Sequence, residues 1–188
     1  MTTNLVVRPI GADERDALLD CISDVFGRDP AADPAGPDRV SELIDFSRTC
    51  CAFDGDRMVA TSATYGFTLS VCGATVRMAG LTMVTVRSTY RRRGILRRLI
   101  AAHLADAAAR GEPVSGLWAS DAGIYGRFGY GIAAESDDLT VGADPTLATA
   151  GGDEPVSLEL DEAARVLPEV FARAMRDRPG SFGRTEPW

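Results

Sequence analysis

The stretch TMVTVRSTYRRRGILRRLIAAHLADAAARG, residues 82–111, decides the fold of this chain. It begins with β-branched residues, continues with an arginine-rich loop, and ends with apolar residues at helical spacing before Gly111. This order is typical of a strand that turns directly into an amphipathic helix. A glycine at the end suits the left-handed residue that closes many helices. We therefore predict a strand–turn–helix unit over residues 81–110.

The loop of this unit predicts an anion site. YRRRGILRRL holds five arginines, although the chain carries 27 acidic and 20 basic side chains and a net charge of −7. The first N–H groups of a helix have no helical partner, and the helix dipole adds partial positive charge there. Gly94 lets the backbone approach a bulky anion, and Arg91 and Arg92 match phosphate oxygens. A pyrophosphate is the natural candidate, while a solvated helix face stays open for Arg97 and Arg98.

Length and composition indicate one domain with a sizeable core. The chain has 188 residues, of which 45% are hydrophobic and 25% charged, as in ordinary globular proteins. No apolar run approaches the roughly 18 residues that span a bilayer, and the start does not resemble a signal peptide. We therefore expect a cytoplasmic protein without a membrane partner. The acidic balance argues against a nucleic-acid partner.

The cysteines and the histidine argue against a metal centre. Cys21, Cys50, Cys51 and Cys72 include no C-x-x-C pair, and His103 is the only histidine. A zinc site needs more such ligands at set spacings. We expect no metal and four reduced, packed thiols, with a catalytic cysteine as the minority alternative. His103 is expected on the flank of its helix and not as a base.

The remaining periodicities predict a mixed α/β domain. A first strand, NLVVRPI, precedes two helices, ADERDALLDCISDVF and DRVSELIDFS. Two strands then flank the hairpin dipeptide Asp54–Gly55, and a long strand, TVRMAGLTMVTV, carries Gly80 as a candidate bulge or crossing point. After the arginine unit we predict a strand, PVSGLWAS, a glycine-rich turn, DAGIYGRFGYG, and a further strand, IAAESDDLTV.

Composition divides the chain into three parts. Residues 1–141 form the predicted α/β domain, and residues 142–155 form a linker dominated by Gly, Ala, Pro and Asp. Residues 156–188 then repeat the outline of the chain's start, with VSLEL as a strand and DEAARVLPEVFARAMRDRP as a helix. We expect this last part to begin a second, incomplete domain.

Two motifs resemble one family. VTVRSTYRRRGIL resembles the acetyl-CoA segment of the GNAT acetyltransferases, R-x-x-G-x-G/A after a strand, with Arg91 and Gly94 in matching places. Leu96 stands where a small residue is usual. VxxxYRRRGILRRL followed by ASDAGIYGRFGYG is similar to the Eis (enhanced intracellular survival) branch, in which a bulky residue at that place is usual. The resemblance covers roughly residues 1–188 and is strongest over residues 80–132.

The resemblance implies a GNAT fold, a mixed and mainly antiparallel sheet with splayed central strands and flanking helices. It implies acetyl-CoA as the cosubstrate, with the pantetheine arm bonded to the strand backbone at Val84, Thr85 and Val86. The arginine loop is implied to hold the pyrophosphate through its amides and side chains, at Arg91, Arg92, Arg93, Gly94, Ile95 and Leu96.

The second motif receives its roles from the same resemblance. Tyr125 is implied to be the general acid toward the leaving CoA thiolate, and Ser120 to line the cofactor channel. Asp24 and Phe26 fall, at looser spacing, where members of the family bind the acceptor amine. That acceptor is implied to be an aminoglycoside or a lysine side chain, and the assembly a homo-oligomer, a hexamer. Full-length members also use a C-terminal carboxylate to deprotonate the amine, which we expect this chain, ending at Trp188, to lack.

Two other functions are compatible with the residues. The chain is alternatively a CoA-binding module without catalysis, or a general GNAT enzyme that acts on a small metabolite or peptide amine. Tyr125 is alternatively a core tyrosine that packs the glycine-rich turn. We expect Trp118 to lie in the core, and Phe128 and Tyr130 to pack and not to react.

Overall fold

The computed structural model of the chain describes residues 5–71, 73–135, 140, 156–176 and 178–183. Its strands are β1 (Val6–Arg8), β2 (Cys51–Asp54), β3 (Arg57–Val71), β4 (Ala74–Val86), β5 (Val114–Leu117) and β6 (Phe182–Gly183). Its helices are α1 (Arg15–Phe26), α2 (Gly36–Leu43), α3 (Ile95–Ala109) and α4 (Leu160–Met175). The predicted mixed α/β class is confirmed.

The pairing between β4 and β5 stops part of the way along β4. The strand order is β1-β2-β3-β4-β5, with β6 paired to β3. β1 to β4 are antiparallel, whereas β5 runs parallel to β4 from the pair Met78–Val114 to the pair Leu81–Leu117. β5 then ends, while β4 continues to Val86. In the described part of the chain, residues 82–86 therefore have no β5 partner, and the implied splay is present.

Helices cover both faces of the sheet because its strands alternate apolar residues. On one face, Leu18 and Cys21 of α1 pack against Cys51 and Phe53 of β2. On the other face, Ile95 and Leu99 of α3 pack against residues that include Ala52, Val59 and Ala60. These clusters fix the start of α3 against the sheet, directly after the arginine loop.

A β-bulge interrupts β4 at the point where the splay begins. Thr61 pairs with Thr85 and Ala63 with Thr82, so β4 carries one residue more than β3 between these pairs. Met83 has a φ of +52°, which is uncommon for a residue with a side chain. Thr61 Oγ1 donates a hydrogen bond of 2.6 Å to the Met83 carbonyl oxygen. A buried side chain therefore holds the bulge in place.

Gly80 is not the bulge that the sequence suggests. It pairs regularly with Tyr65 on β3 and with Gly116 on β5. A Cβ atom at this position would overlap the ring of Phe67. Gly80 is thus explained by close approach of an aromatic ring, and the bulge lies three residues later at Met83.

The C-terminal part departs most from the prediction. VSLEL is not a strand, because residues 156–159 are irregular and α4 begins at Leu160. Residues 132–135 are irregular as well, and most of the remaining predicted strand, residues 136–141, lies outside the described residues. β6 was not predicted; it pairs with Thr68 and Leu69, beyond the part of β3 that β2 covers.

The predicted linker, residues 142–155, lies outside the described residues. The assignment of residues 156–188 to a second domain stays a prediction, and β6 of that segment joins the same sheet as β1 to β5. Among the helices described, none is long and apolar enough to cross a bilayer.

Candidate active site

The arginine loop, residues 87–94, links the open end of β4 to α3. A short 3-10 turn at Ser88–Tyr90 is followed by two residues with left-handed backbone, Arg92 with a φ of +61° and Gly94 with a φ of +74°. The left-handed conformation costs a residue with a Cβ about 1–2 kcal/mol. Strain of this kind is concentrated at functional sites, where a particular backbone shape is needed. α3 begins at Ile95, directly after this bend.

The start of α3 exposes N–H groups that the helix itself cannot use. The helix runs for 15 residues, so its dipole contributes fully at Ile95 and Leu96. The side chain of Ile95 is 2% exposed and anchors this end in the core. The predicted amide cradle therefore lies on a rigid helix end.

The arginines of the loop differ in the contacts that they make. The Arg93 guanidinium lies 4.8 Å from the ring centre of Tyr90 and donates to the Thr89 carbonyl at 2.9 Å. The Tyr90 hydroxyl in turn donates to Asp54 at 2.7 Å. Arg93 and Tyr90 thus tie the loop to the β2–β3 turn.

Arg98 is exposed, but its side chain also makes a specific contact. Its guanidinium donates to the Leu5 carbonyl at 3.1 Å, which joins α3 to the chain just before β1. Arg91, Arg92 and Arg97 are exposed. Of these, Arg91 and Arg92 lie on the loop itself, while Arg97 lies inside α3.

The open strand edge carries Val84, Thr85 and Val86. Thr85 is 2% exposed, and its hydroxyl lies 2.6 Å from Thr61 Oγ1 and 3.7 Å from Cys21 Sγ. Because Thr61 already donates to Met83, Thr85 is the donor to Thr61. These hydrogen bonds hold the β4 backbone from one face of the sheet. Among the described residues, the edge of β4 beyond the end of β5 is left without a strand partner.

Tyr125 lies between two 3-10 turns that follow β5. The first turn is capped by Asp121, whose carboxylate accepts from the Gly123 N–H at 3.0 Å. The second ends at Gly129, with a φ of +93°. Burial raises the pKa of Tyr125, and the nearby Tyr130 and Asp121 raise it further. Tyr125 therefore stays protonated at neutral pH and keeps its capacity to donate a proton.

Residues near this turn follow the prediction only in part. Ser120 is exposed on the segment between β5 and the first turn. The prediction that Trp118 lies in the core is wrong, because this side chain is 75% exposed. It makes an edge contact with Phe182 of β6, at 5.1 Å between ring centres. The docking of β6 onto the sheet brings this contact about.

Asp24 and Phe26 lie at the end of α1. Asp24 accepts a 2.5 Å ion-pair hydrogen bond from Arg87, the residue that follows β4. Arg87 also donates to the Met58 carbonyl at 3.1 Å. Phe26 is 42% exposed, with Arg28 stacked 5.3 Å from its ring centre. The fold therefore brings Asp24 to the end of the open strand, and acceptor binding by Asp24 and Phe26 stays a prediction.

His103 is the functional candidate that the sequence analysis missed. It is not on a flank, because it is only 3% exposed and lies between α3 and the sheet. Leu99, His103 and Ala107 repeat every four residues, and all three are buried. That spacing was the signal that places the imidazole on the core side of the helix.

The described cysteines are poorly suited to nucleophilic chemistry. Burial raises the pKa of Cys51 to about 12 and raises the pKa values of Cys21 and Cys50 as well. These three thiols are therefore protonated and poor nucleophiles. Within the described residues, no three His, Cys, Asp or Glu side chains gather where they could hold a metal ion.

Comparison with known proteins adds a family match. Residues 6–133 match the family described as acetyltransferase (GNAT) domain. An uncharacterized N-acetyltransferase of Streptomyces avermitilis is 36% identical over 190 residues, which cover 97% of this chain and 45% of the relative. N-acetyltransferase Eis of Mycobacterium tuberculosis is 44% identical over 88 residues, 46% of this chain and 22% of that protein.

A solved structure extends the likeness to the fold. Eis1 from Mycobacterium abscessus superposes with a TM-score of 0.71 at 28% identity, covering 98% of this chain and 46% of that one. The chain thus spans less than half the length of these relatives.

Proposed function

The chain belongs to the GNAT acetyltransferase family, and from that premise we propose that it is an Eis-like N-acetyltransferase that moves an acetyl group from acetyl-CoA to an amine. One observation carries the proposal. The free edge of β4 at residues 82–86, the left-handed bend at Arg92 and Gly94, and the start of α3 follow one another without a gap. A strand edge next to an amide cradle suits a long ligand that has an amide-bearing arm and a pyrophosphate.

The cofactor half of the proposal uses backbone groups. The backbone of Val84, Thr85 and Val86 is to bond the amides of the pantetheine arm, through the alternate N–H and C=O groups that do not pair with β3. The amides from Arg92 to Leu96 are to hold the pyrophosphate, with the exposed Arg91 and Arg92 side chains beside them. Ser120, on the opposite side of the splay, is to line the same channel.

The chemical half uses few side chains. An attacking amine must be neutral, although a lysine-type amine has an ordinary pKa of about 10.4. Its nitrogen forms a bond to the thioester carbonyl carbon and gives up a proton to a carboxylate or to water. The carbon–sulfur bond breaks, and the thiolate leaves. A strand N–H next to the Met83 bulge is to polarise the carbonyl. Tyr125 is to donate its proton to the thiolate and recover one from water.

The acceptor is proposed to be a cationic amine, on an aminoglycoside or a lysine side chain. Support comes from the Eis-like motifs and from the net charge of −7. Asp24 lies at the end of the open strand, where its carboxylate is paired with Arg87. Asp24 and Phe26 are then the first candidates for acceptor contacts. The reduced state of the three described cysteines is compatible with a cytoplasmic location, which we propose together with assembly into a homo-oligomer such as a hexamer.

The test is acetyl-CoA turnover by thiol release, scanned over polyamines, aminoglycosides and lysine peptides, beside acetyl-CoA affinity by calorimetry. The 188-residue chain and the full gene product are assayed in parallel, because the relatives are more than twice as long. Turnover with at least one amine supports the proposal. Tight acetyl-CoA binding without turnover in either protein points to a CoA-binding module, and no binding in either refutes the cofactor site.

A further inference from the structure

Four side chains from separate parts of the chain are joined by three short hydrogen bonds. His103 Nδ1 lies 2.8 Å from Thr64 Oγ1 on β3, and His103 Nε2 lies 2.7 Å from Ser115 Oγ on β5. Ser115 Oγ lies 2.7 Å from the hydroxyl of Tyr130, which follows the second 3-10 turn. We call Thr64, His103, Ser115 and Tyr130 the imidazole relay. It runs from the face of β3 beneath α3 to the turn that carries Tyr125.

The imidazole in this relay is neutral. Burial lowers the pKa of His103 from 6.5 to about 4. The charge of Arg48 lowers the pKa further, while the carboxylates of Asp106 and Glu112 act in the opposite direction. Arg48 itself is buried and bonded to both carboxylates, at 3.2 Å to Asp106 and 2.5 Å to Glu112. Desolvation is the largest of these influences, so it decides the protonation state.

A neutral imidazole gives the relay a direction. One ring nitrogen donates and the other accepts, and each hydroxyl has a single proton. If Thr64 donates to Nδ1, then Nε2 donates to Ser115, and Ser115 donates to Tyr130. If the order is reversed, Tyr130 donates to Ser115. The tautomer of His103 therefore determines whether the Tyr130 hydroxyl proton points into the relay or away from it.

Tyr130 connects the relay to Tyr125. The two rings meet edge to face, with 5.9 Å between their centres and 75° between their planes. The backbone around Tyr125 consists only of two short 3-10 turns, which hold a side chain less firmly than a long helix or strand does. The hydrogen bond to Ser115 fixes the hydroxyl of Tyr130, so the Tyr130 ring gives Tyr125 a rigid surface to pack against.

We infer that the imidazole relay positions Tyr125: His103, through Ser115, holds the ring of Tyr130, and that ring holds the phenol of Tyr125 in the direction needed for proton donation. The inference rests on the proposed role of Tyr125. Thr64, His103, Ser115 and Tyr130 are positioning residues in this scheme and touch no substrate. A relay that only stabilises the core predicts lower stability but an unchanged rate for every variant that folds.

The first test is spectroscopic and needs no activity. The chain has one histidine, so a long-range ¹H–¹⁵N spectrum of the imidazole holds a single set of ring signals. We expect one neutral tautomer throughout the range of about pH 5 to 8 in which an ordinary histidine titrates. Tyr130→Phe is expected to shift these signals, and the control Tyr65→Phe to leave them in place. Titration of His103 near pH 6.5 in the folded protein would overturn the relay.

The second test follows Tyr125 itself. Its aromatic signals, identified by their loss in Tyr125→Phe, are expected to shift in Tyr130→Phe and in His103→Gln. His103 and Thr64 line a cavity of about 180 Å³, which gives the glutamine side chain room. If the Tyr125 signals stay unchanged in both folded variants, the positioning role is wrong, whether or not the chain has transferase activity.

The third test is kinetic. Tyr130→Phe keeps the ring contact but removes the hydroxyl, and we expect kcat to fall about three- to tenfold, as for one lost hydrogen bond, with the KM for acetyl-CoA unchanged. His103→Gln retains a donor and an acceptor and should lose less than His103→Leu. Unchanged kcat and unchanged pH profiles in all three variants, beside a strong effect of Tyr125→Phe, would overturn the positioning role but leave the proposed function standing. Inactivity of the unaltered chain would instead count against the proposed function alone.

Discussion

The two sides of the candidate site are built in opposite ways. The arginine loop is one continuous segment, residues 87–94, whose shape comes from left-handed backbone at Arg92 and Gly94 and whose arginines are largely exposed. The tyrosine side consists of Tyr125 and the imidazole relay, whose buried or half-buried members come from β3, α3, β5 and the turn after β5. The first presents backbone N–H groups and the second presents side-chain atoms. The loop should therefore be sensitive to its backbone conformation, and the tyrosine side to single side-chain atoms.

The sharpest test of this contrast is removal of one oxygen from the tyrosine side. Tyr125→Phe should lower kcat about 10²- to 10⁴-fold, as for loss of a general acid, and leave acetyl-CoA affinity unchanged. Stopped thiol-release assays and calorimetry measure the two quantities. Because the pKa of Tyr125 is raised, the alkaline limb of kcat in the unaltered protein should lie above about pH 10. Equal, measurable kcat values for the variant and the parent would contradict the general-acid role of Tyr125.

The next largest effect is the contribution of His103 to the pH dependence of the free energy of unfolding. The folded pKa of His103 lies below its unfolded value, at about 4 against 6.5, so the unfolded state takes up the proton first. The stability that belongs to neutral His103 is therefore complete above pH 6.5 and is lost as pH falls toward 4, by up to about 3 kcal/mol.

His103→Gln lacks this titration. Urea unfolding at several pH values measures the free energy of unfolding of both proteins. As pH falls from 6.5 toward 4, the value for the parent should fall relative to the value for the variant. The other acidic and basic groups are common to both proteins and cancel in the difference. A difference that stays constant with pH would mean that His103 does not bury a neutral ring.

Backbone sensitivity of the loop is tested by Gly94→Ala. No atom lies within 4 Å of the position of the new Cβ, so the substitution acts through the left-handed φ and costs about 1–2 kcal/mol. If the bend forms the pyrophosphate cradle, acetyl-CoA affinity falls about five- to thirtyfold. Gly111→Ala is a matched control, because Gly111 also has a positive φ, +69°, and open space, at the other end of α3. Equal losses of acetyl-CoA affinity in both variants would contradict a pyrophosphate cradle at Gly94.

The smallest expected effects come from the loop side chains. Arg91→Ala and Arg92→Ala should each weaken acetyl-CoA binding about three- to tenfold at low salt, because exposed charges contribute modestly and are screened. Arg97→Ala is the control, since Arg97 is also exposed but lies inside α3. Calorimetry at two salt concentrations separates these variants. A loss at Arg97 as large as at Arg91 would indicate a general charge effect and no defined phosphate contact.

Much of the fold was predictable because its signals are local. The turn of Asp54–Gly55, the helix stop at Gly27 and the strand–loop–helix unit around Gly94 each depend on a few neighbouring residues. VSLEL failed because alternation alone does not make a strand without a partner edge. β6 was missed for the opposite reason, since its two residues pair only because β3 extends beyond β2.

The candidate site divides along the same line. The arginine loop and Tyr125 lie in motifs that are readable along the chain. The bulge at Met83 depends on Thr61 from the neighbouring strand, and the burial of His103 on helix spacing that was there to be read. Arg98 illustrates the remainder, because its bond to the Leu5 carbonyl spans 93 positions of sequence.

By itself the sequence determined the strand–loop–helix unit, the free helix N-terminus and the glycine that bends into it, because backbone conformation responds to residues a few positions away. Only the tertiary structure decided where β4 and β5 part, which hydroxyl holds the bulge, and which side chains surround the one histidine. Those outcomes depend on hydrogen bonds and burial between residues tens of positions apart. Their energies exist only after the chain has folded, so no local pattern records them.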